Sequence, residues 1–222
     1  MSENLTVALL IYPGFTSLDV VGPYEILHML PGAETFFVAE KPGPVTNDGG
    51  SLTLVASRSL DEVPSADVVV VGGGVEGTLA AAQNPAILSW VRRVHNSARM
   101  TFSVCTGSLI LGAAGLLAGR RACTHWAARE LLEKTGASYC EERYHLDGTI
   151  LTAAGVSAGL DAALFLVSEL RQRSSAEMIQ LVTEYDPAPP FTAGSTRSAP
   201  PEIVTAATAR FEAALARAVD SS

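Results

Sequence analysis

Met100-Thr101-Phe102-Ser103-Val104-Cys105-Thr106-Gly107-Ser108, running into the apolar segment 109–117, decides the fold class. The first five residues read as a buried strand, the turn falls at Cys105, and a helix opens at Gly107. A strand that empties directly into a helix is one half of a βα unit. The same turn aims a thiol at the free backbone N–H groups of a helix start, where the dipole favours thiolate. This is the nucleophile-elbow arrangement with sulfur in place of a serine hydroxyl. A small buried cysteine that merely packs is the competing reading, and the turn context weighs against it.

Outward from this stretch the same alternation repeats. Val7-Ala8-Leu9-Leu10-Ile11 is a continuous apolar run closed by Tyr12-Pro13-Gly14, as expected of a strand covered on both faces. Asp19 precedes a helical pattern over 20–30 that ends at Pro31-Gly32. Phe36-Phe37-Val38-Ala39 is a second short strand, and 53–56 is a β-excursion after Asn47-Asp48-Gly49-Gly50. Val68-Val69-Val70-Val71 is the plainest interior strand and empties into Gly72-Gly73-Gly74; a helix over 85–97 follows, with proline in its first turn. Downstream come a short strand near 122–124, a helix over 126–135, a hairpin over 144–152 turned at Asp147-Gly148, and a long helix over 158–173. Strands alternating with helices predict an α/β fold with a mostly parallel central sheet and helices on both faces. Ligands of such sheets bind beyond the carboxyl ends of the strands, and Asp19, the three glycines and Cys105 all sit just past strand ends.

The 222 residues, 48% hydrophobic and 17% charged, suffice for one large core. A net charge of −8 leaves no basic stripe to displace phosphate counterions, which argues against nucleic acid as a partner. Three cysteines fit reduced thiols in a cytoplasmic protein better than a disulfide framework. Met1, Ser2 and Glu3 carry no leader signature, and no apolar run approaches a membrane span, so no membrane partner is expected. The tail differs from the rest. Asp186-Pro187-Ala188-Pro189-Pro190-Phe191 is a stiff extended segment, and Pro200-Pro201 opens an alanine-rich helix to about 219. Ile203, Ala206, Ala207, Phe211, Ala214 and Leu215 share one stripe of that helix. The chain therefore divides into an α/β domain over 1–186 and a proline strap with C-terminal helix over 187–222. The latter is expected at a homodimer interface; a tail folded back on its own domain is the alternative.

Asp19 reads either as a helix N-cap or, if the first strand lies beside the Cys105 strand, as a carboxyl within reach of the thiol. Facing a thiolate, its pKa would rise, and the protonated carboxyl would hydrogen-bond sulfur and exchange protons during catalysis. Gly72-Gly73-Gly74 has neither dinucleotide-binding nor P-loop spacing. It reads as tight packing or, beside the elbow, as Gly73 and Gly74 N–H donors that join Thr106 N–H in stabilising negative charge. Thr106 is either a plain first-turn residue or one whose hydroxyl bonds substrate or Asp19. His125, beside Trp126, is either a packed or capping histidine or an accessory base for the cysteine. His28 lies on a helix, and His95 and His145 read as surface positions. No His and Cys fall at metal-ligand spacing and no cofactor motif is present, so neither a metal nor a cofactor is expected. Cys123 and Cys140 read as packing residues rather than redox partners.

Leu18-Asp19-Val20-Val21-Gly22-Pro23, Gly72-Gly73-Gly74, Ser103-Val104-Cys105-Thr106-Gly107-Ser108, Gly112-Ala113-Ala114-Gly115-Leu116-Leu117 and Thr124-His125-Trp126 together resemble the ThiJ/PfpI superfamily. Tyr185-Asp186-Pro187-Ala188-Pro189-Pro190-Phe191 and Ala193-Gly194-Ser195 extend the likeness along essentially the whole chain, and within the superfamily it is similar to the isocyanide hydratase branch. The elbow is superfamily-wide; Asp19, Thr106 and the proline strap discriminate. The resemblance implies a flavodoxin-like three-layer sandwich, usually dimeric, with the active site close to the subunit interface. It implies Cys105 as nucleophile, Asp19 as the acid that contacts it, and Thr106 as the neighbouring threonine of the branch. The implied reaction hydrates an isocyanide, a small-molecule substrate, to an N-substituted formamide through a Cys105 thioimidate. Thr106 stands where protease-like members carry histidine, which counts against peptidase activity. Glyoxalase-like and chaperone-like members commonly carry glutamate where this chain has Asp19. Related regulators append a helix-turn-helix domain, for which no residues remain here. At Ala153-Ala154-Gly155-Val156 the chain departs from the more glycine-rich, slightly bulkier run of the hydratases. Two other readings stay open: a glyoxalase-type conversion of methylglyoxal to lactate with His125 as base, and a non-catalytic sensor in which Cys105 oxidises to sulfinic acid.

Overall fold

The computed structural model describes residues 4–220; the reading made at Met1, Ser2 and Glu3 lies outside the described residues. In chain order the elements are β1 (Leu5–Leu10), α1 (Ser17–Leu27), β2 (Ala33–Ala39), β3 (Gly43–Thr46), β4 (Thr53–Ala56), β5 (Arg58–Ser59) and β6 (Val68–Val71). There follow α2 (Val75–Ala81), α3 (Pro85–His95), β7 (Met100–Val104), α4 (Gly107–Ala113), β8 (Arg121–Ala122), a 3₁₀ turn (Trp126–Ala128) and α5 (Arg129–Glu133). The last elements are β9 (Ser138–Tyr139), β10 (Tyr144–Asp147), β11 (Ile150–Ala153), α6 (Ala158–Leu170), α7 (Arg173–Val182) and α8 (Pro201–Asp220).

Seven strands form one sheet in the order β10-β11-β7-β6-β1-β2-β5, parallel throughout except for the β10–β11 hairpin. The apolar runs of β6 and β7 are buried at every residue because helices cover both faces. One layer packs α1 and α7 on α6, and the other gathers α2, α3 and α5 around α4, giving a three-layer α/β sandwich as the sequence predicts. A fully buried phenylalanine such as Phe102 contributes about 3–5 kcal/mol against truncation to alanine. Register pairs Leu10 with Val71, Val71 with Ser103, and Val104 with Ala153. The carboxyl ends of β1, β6, β7 and β11 therefore finish in one line, and the site lies along it.

Local signals set several boundaries. Asn84 caps α3 by accepting from Ala86 N–H at 2.9 Å, with Pro85 in the first turn where its missing N–H costs nothing. The helix expected over 20–30 starts earlier, at Ser17, because Thr16 N–H donates to Gly73 O at 2.7 Å and docks the helix start on the glycine loop. Asp19 thus sits inside the first turn and Thr16 holds the cap position. The helix expected over 158–173 ends at Leu170, and α7 is a separate element the sequence reading lacks. It buries only Ala176 and Ile179, three residues apart, while Met178, Leu181 and Val182 are exposed, so its apolar stripe is short. The segment 126–135 divides into the 3₁₀ turn and α5.

The tail helix α8 lies against α2 of its own chain, the folded-back course that the sequence reading holds as its alternative. Phe211 stacks on His125, and Arg217 pairs with Glu76 at 2.9 Å, while Ile203 stays exposed. Among the described residues no helix is long and apolar enough to cross a membrane.

Candidate active site

Cys105 links β7 to α4 with φ at 57°, a left-handed conformation that side chains other than glycine rarely adopt. The surrounding chain holds it there. Cys105 N–H donates to Ala154 O at 2.9 Å and Ala153 O at 3.2 Å, and its carbonyl accepts from Ser108 Oγ and Thr124 Oγ1, each at 3.1 Å. Gly107 opens the helix because a Cβ at that position would sit 2.1 Å from Val71 O; α4 starts hard against the end of β6. Val156, from the loop after β11, is a second strained residue at φ 22°. Its N–H and that of Thr106 face the buried sulfur.

Asp19 is fully buried. β6 intervenes between β1 and β7, so neighbouring strands are not what joins Asp19 to Cys105. The first turn of α1 instead crosses the end of β6 on the glycine loop. Asp19 Oδ2 accepts from Gly73 N–H at 2.9 Å. Oδ1 has no nitrogen or oxygen partner among the described residues, and the carboxyl faces the Cys105 thiol. Burial raises the Asp19 carboxyl to about 7, against the pull of the Gly73 and Cys105 hydrogen bonds. The Cys105 thiol is pushed up, first by burial and then by the negative charge of Asp19, with the N–H groups of Val156 and Thr106 pulling it down. The dipole of the seven-residue α4 is thus outweighed, and the free thiolate predicted from the elbow alone is corrected to a thiol–carboxyl pair. This pair holds two protons below about pH 7 and one above it.

A chain of hydroxyls runs beneath the pair. Gly74 N–H donates to Thr106 Oγ1 at 3.0 Å, Thr106 Oγ1 and Thr78 Oγ1 lie 3.0 Å apart, Thr78 Oγ1 and the Tyr12 hydroxyl 3.0 Å, and Tyr12 donates to Gly72 O at 2.7 Å. With an N–H at one end and a carbonyl at the other, only one proton direction satisfies every member: Gly74 to Thr106 to Thr78 to Tyr12 to Gly72. Burial pushes the Tyr12 phenol up, so it stays a donor. The expectation for the glycines changes accordingly. Gly73 N–H is committed to Asp19 and Gly74 N–H to Thr106, leaving Thr106 and Val156 N–H as the donors at the sulfur. A Cβ on Gly73 would lie 2.5 Å from Thr106 Oγ1 and 2.8 Å from Asp19 Oδ2, so only glycine fits between them. Tyr12 and Thr78 escape the sequence reading: the first looks like turn punctuation, and nothing local marks the second.

His125 sits outside this core. Its Nδ1 accepts from Ala127 N–H at 3.3 Å, and its ring stacks on Phe211 with centroids 5.5 Å apart. Burial lowers its pKa, which favours the neutral ring. A cleft of about 350 Å³ is walled by His125, Trp126, Tyr139, Gly155 and Val156, and so reaches the residue whose N–H faces the sulfur. Away from Cys105, the six-residue segment 140–145 brings together a donor cluster where the sequence reading finds no His and Cys at metal-ligand spacing: one ligand atom each of Cys140, Glu142 and His145 lies within 4.8 Å of the others.

Residues 5–169 match the model of the DJ-1/PfpI family. The isonitrile hydratase of Pseudomonas putida is 41% identical over 200 residues, covering 90% of this chain and 87% of that protein. The HTH-type transcriptional regulator CdhR of Pseudomonas aeruginosa is 27% identical over 213 residues, covering 83% of this chain and 61% of the regulator. The crystal structure of a ThiJ/PfpI family protein from Pseudomonas syringae superimposes with a TM-score of 0.92 at 42% identity, covering 97% of this chain and 91% of that one.

Proposed function

The chain belongs to the DJ-1/PfpI family, and on that premise we propose that it hydrates an isocyanide, R–N≡C, to the N-substituted formamide R–NH–CHO. The observation that carries the reading is the buried Asp19, whose carboxyl faces the Cys105 thiol with one oxygen that has no nitrogen or oxygen partner, and so can exchange a proton with the sulfur. The P. putida relative supports the substrate class.

In the one-proton state the Asp19 carboxylate takes the thiol proton as Cys105 sulfur attacks the terminal isocyanide carbon. Asp19 then delivers that proton to the same carbon, giving the thioimidate R–N=CH–S–Cys105. Water adds next: its oxygen bonds to carbon while Asp19 accepts a proton from it and passes one to nitrogen. Collapse of R–NH–CH(OH)–S–Cys105 breaks the carbon–sulfur bond, and the hydroxyl proton returns through Asp19 to sulfur. The pair ends as it began, and R–N≡C plus water has become R–NH–CHO. Thr106 and Val156 N–H stabilise the negative charge on sulfur as it enters and leaves. The hydroxyl chain through Thr106 fixes the orientation of that donor.

The direct test incubates purified protein with an aryl isocyanide and follows formamide by chromatography and mass. Wild type is expected to turn over and Cys105→Ala to give none. Equal, background-level product from both would end the proposal.

A further inference from the structure

Cys123 and Cys140 lie one step beyond the β8–β9 ladder. Arg121 pairs with Ser138 and Ala122 with Tyr139 in parallel register, and Cys140 N–H donates to Ala122 O at 3.0 Å. Continuing that register sets Cys123 opposite Cys140. Opposed residues of adjacent strands stand about 4.8 Å apart, inside the Cα separation that a disulfide requires. The sulfur atoms are 2.8 Å apart, nearer than unbonded sulfurs settle and within a small side-chain adjustment of the bond length of about 2.05 Å. Both cysteines are buried, at 0% and 3% exposure, yet the neighbouring Glu142 side chain is 50% exposed, so the pair lies shallowly under the surface.

The two thiols are unequal. Cys140 is held down, first by the hydrogen bond from the Cys123 thiol and then by the Glu142 backbone and His145, while Cys123 is pushed up by the same contact and by burial. A metal shared through the Cys140–Glu142–His145 cluster fits less well. Two thiolates on one zinc sit about 3.8 Å apart, given zinc–sulfur bonds of about 2.3 Å. The Glu142 carboxylate is also already engaged by Arg121 at 3.1 Å and His145 at 2.9 Å.

We propose that Cys123 and Cys140 form a reversible dithiol–disulfide pair, oxidised by a hydroperoxide and reduced by small thiols. Cys140 thiolate attacks one peroxide oxygen; the O–O bond breaks, and the leaving oxygen takes up a proton, giving Cys140 sulfenic acid and, from hydrogen peroxide, water. Cys123 sulfur then attacks Cys140 sulfur; the S–O bond breaks, and the hydroxyl departs with the Cys123 proton as a second water. Two electrons pass from the sulfurs to one peroxide, and two external thiols reverse the process by exchange. Cys123 N–H donates to Thr152 Oγ1 at 2.8 Å, and the next residue, Thr124, donates to the Cys105 carbonyl. The bond therefore braces the wall beside the elbow without consuming Cys105, and it is independent of the hydratase reading.

The test uses the full chain carrying Cys105→Ala, which removes the third thiol from the count. One equivalent of hydrogen peroxide, an acid quench and alkylation should lower the alkylatable thiols from two to none and yield a peptide joining Cys123 to Cys140. Dithiothreitol should restore both. The oxidised chain should melt about 6–12 °C higher, as a loop of this length predicts. Adding Cys123→Ser or Cys140→Ser should abolish the cross-link. Two thiols still alkylated after peroxide would overturn the proposal. So would one zinc per chain that shields both cysteines until a chelator is added.

Discussion

Replacing Asp19 with asparagine separates the chemistry of the site from its cost to the fold. The amide oxygen of Asp19→Asn can still accept from Gly73 N–H, which Asp19 Oδ2 does at 2.9 Å, so the loop geometry is retained. The side chain can no longer carry a proton between sulfur, carbon and water. Loss of a positioned general acid–base lowers kcat/KM by about 10²–10⁴, or about 3–5 kcal/mol of barrier. Stability should move the other way. Asp19 titrates at about 7 in the fold against 3.8 ordinarily, so between those values the unfolded chain releases a proton that the native chain keeps. Native stability therefore falls as pH rises through that window, is fully lowered above about 7, and recovers its maximum below 3.8. The carboxyl is fully buried, and the full displacement corresponds to about 4 kcal/mol. Asp19→Asn should thus gain stability over wild type at pH 8, an upper bound of about 4 kcal/mol, and match it at pH 4. Denaturant titrations at the two pH values, with formamide assays on the same preparations, read both effects. A variant within tenfold of wild-type kcat/KM, or a stability difference that does not change with pH, refutes the reasoning.

The wild-type kcat/KM for formamide production should rise with pH through about 7, because the nucleophile arises only in the one-proton state of the pair; a flat profile from pH 5 to 8 would remove Asp19 from the mechanism. Thr106→Val keeps shape but strands the buried Gly74 N–H, while Thr78 loses one donor and keeps its bond to Tyr12; one buried unsatisfied group costs about 1–3 kcal/mol, measurable as a lower denaturation midpoint. His125→Ala should lower formamide turnover less than about tenfold, since the ring's bonds go to Ala127 and its stacking to Phe211, outside the reacting pair. Complete loss of activity in a folded His125→Ala protein would return the histidine to the role of base.

What the sequence determined on its own is everything set by residues a few positions apart. The valine run of β6 and the apolar 100–104 strand need cover on both faces, Asn84 and Pro85 mark the start of α3, and the Cys105-Thr106-Gly107 turn dictates an elbow with its thiol at the sheet's carboxyl edge. Those signals are local because backbone conformation and hydrophobic period are local. The tertiary structure decided which groups meet and how well they are shielded from water. Asp19 reaches Cys105 only because α1 crosses the end of β6, and the resulting burial, not the helix dipole, governs where the proton sits. Thr78 and Tyr12 join Thr106, and Cys123 meets Cys140, through contacts between residues 17 to 66 positions apart, which no spacing rule encodes. Proximity across the sheet and the low dielectric inside it are properties of the packed chain as a whole, so they became visible only once the layers were assembled.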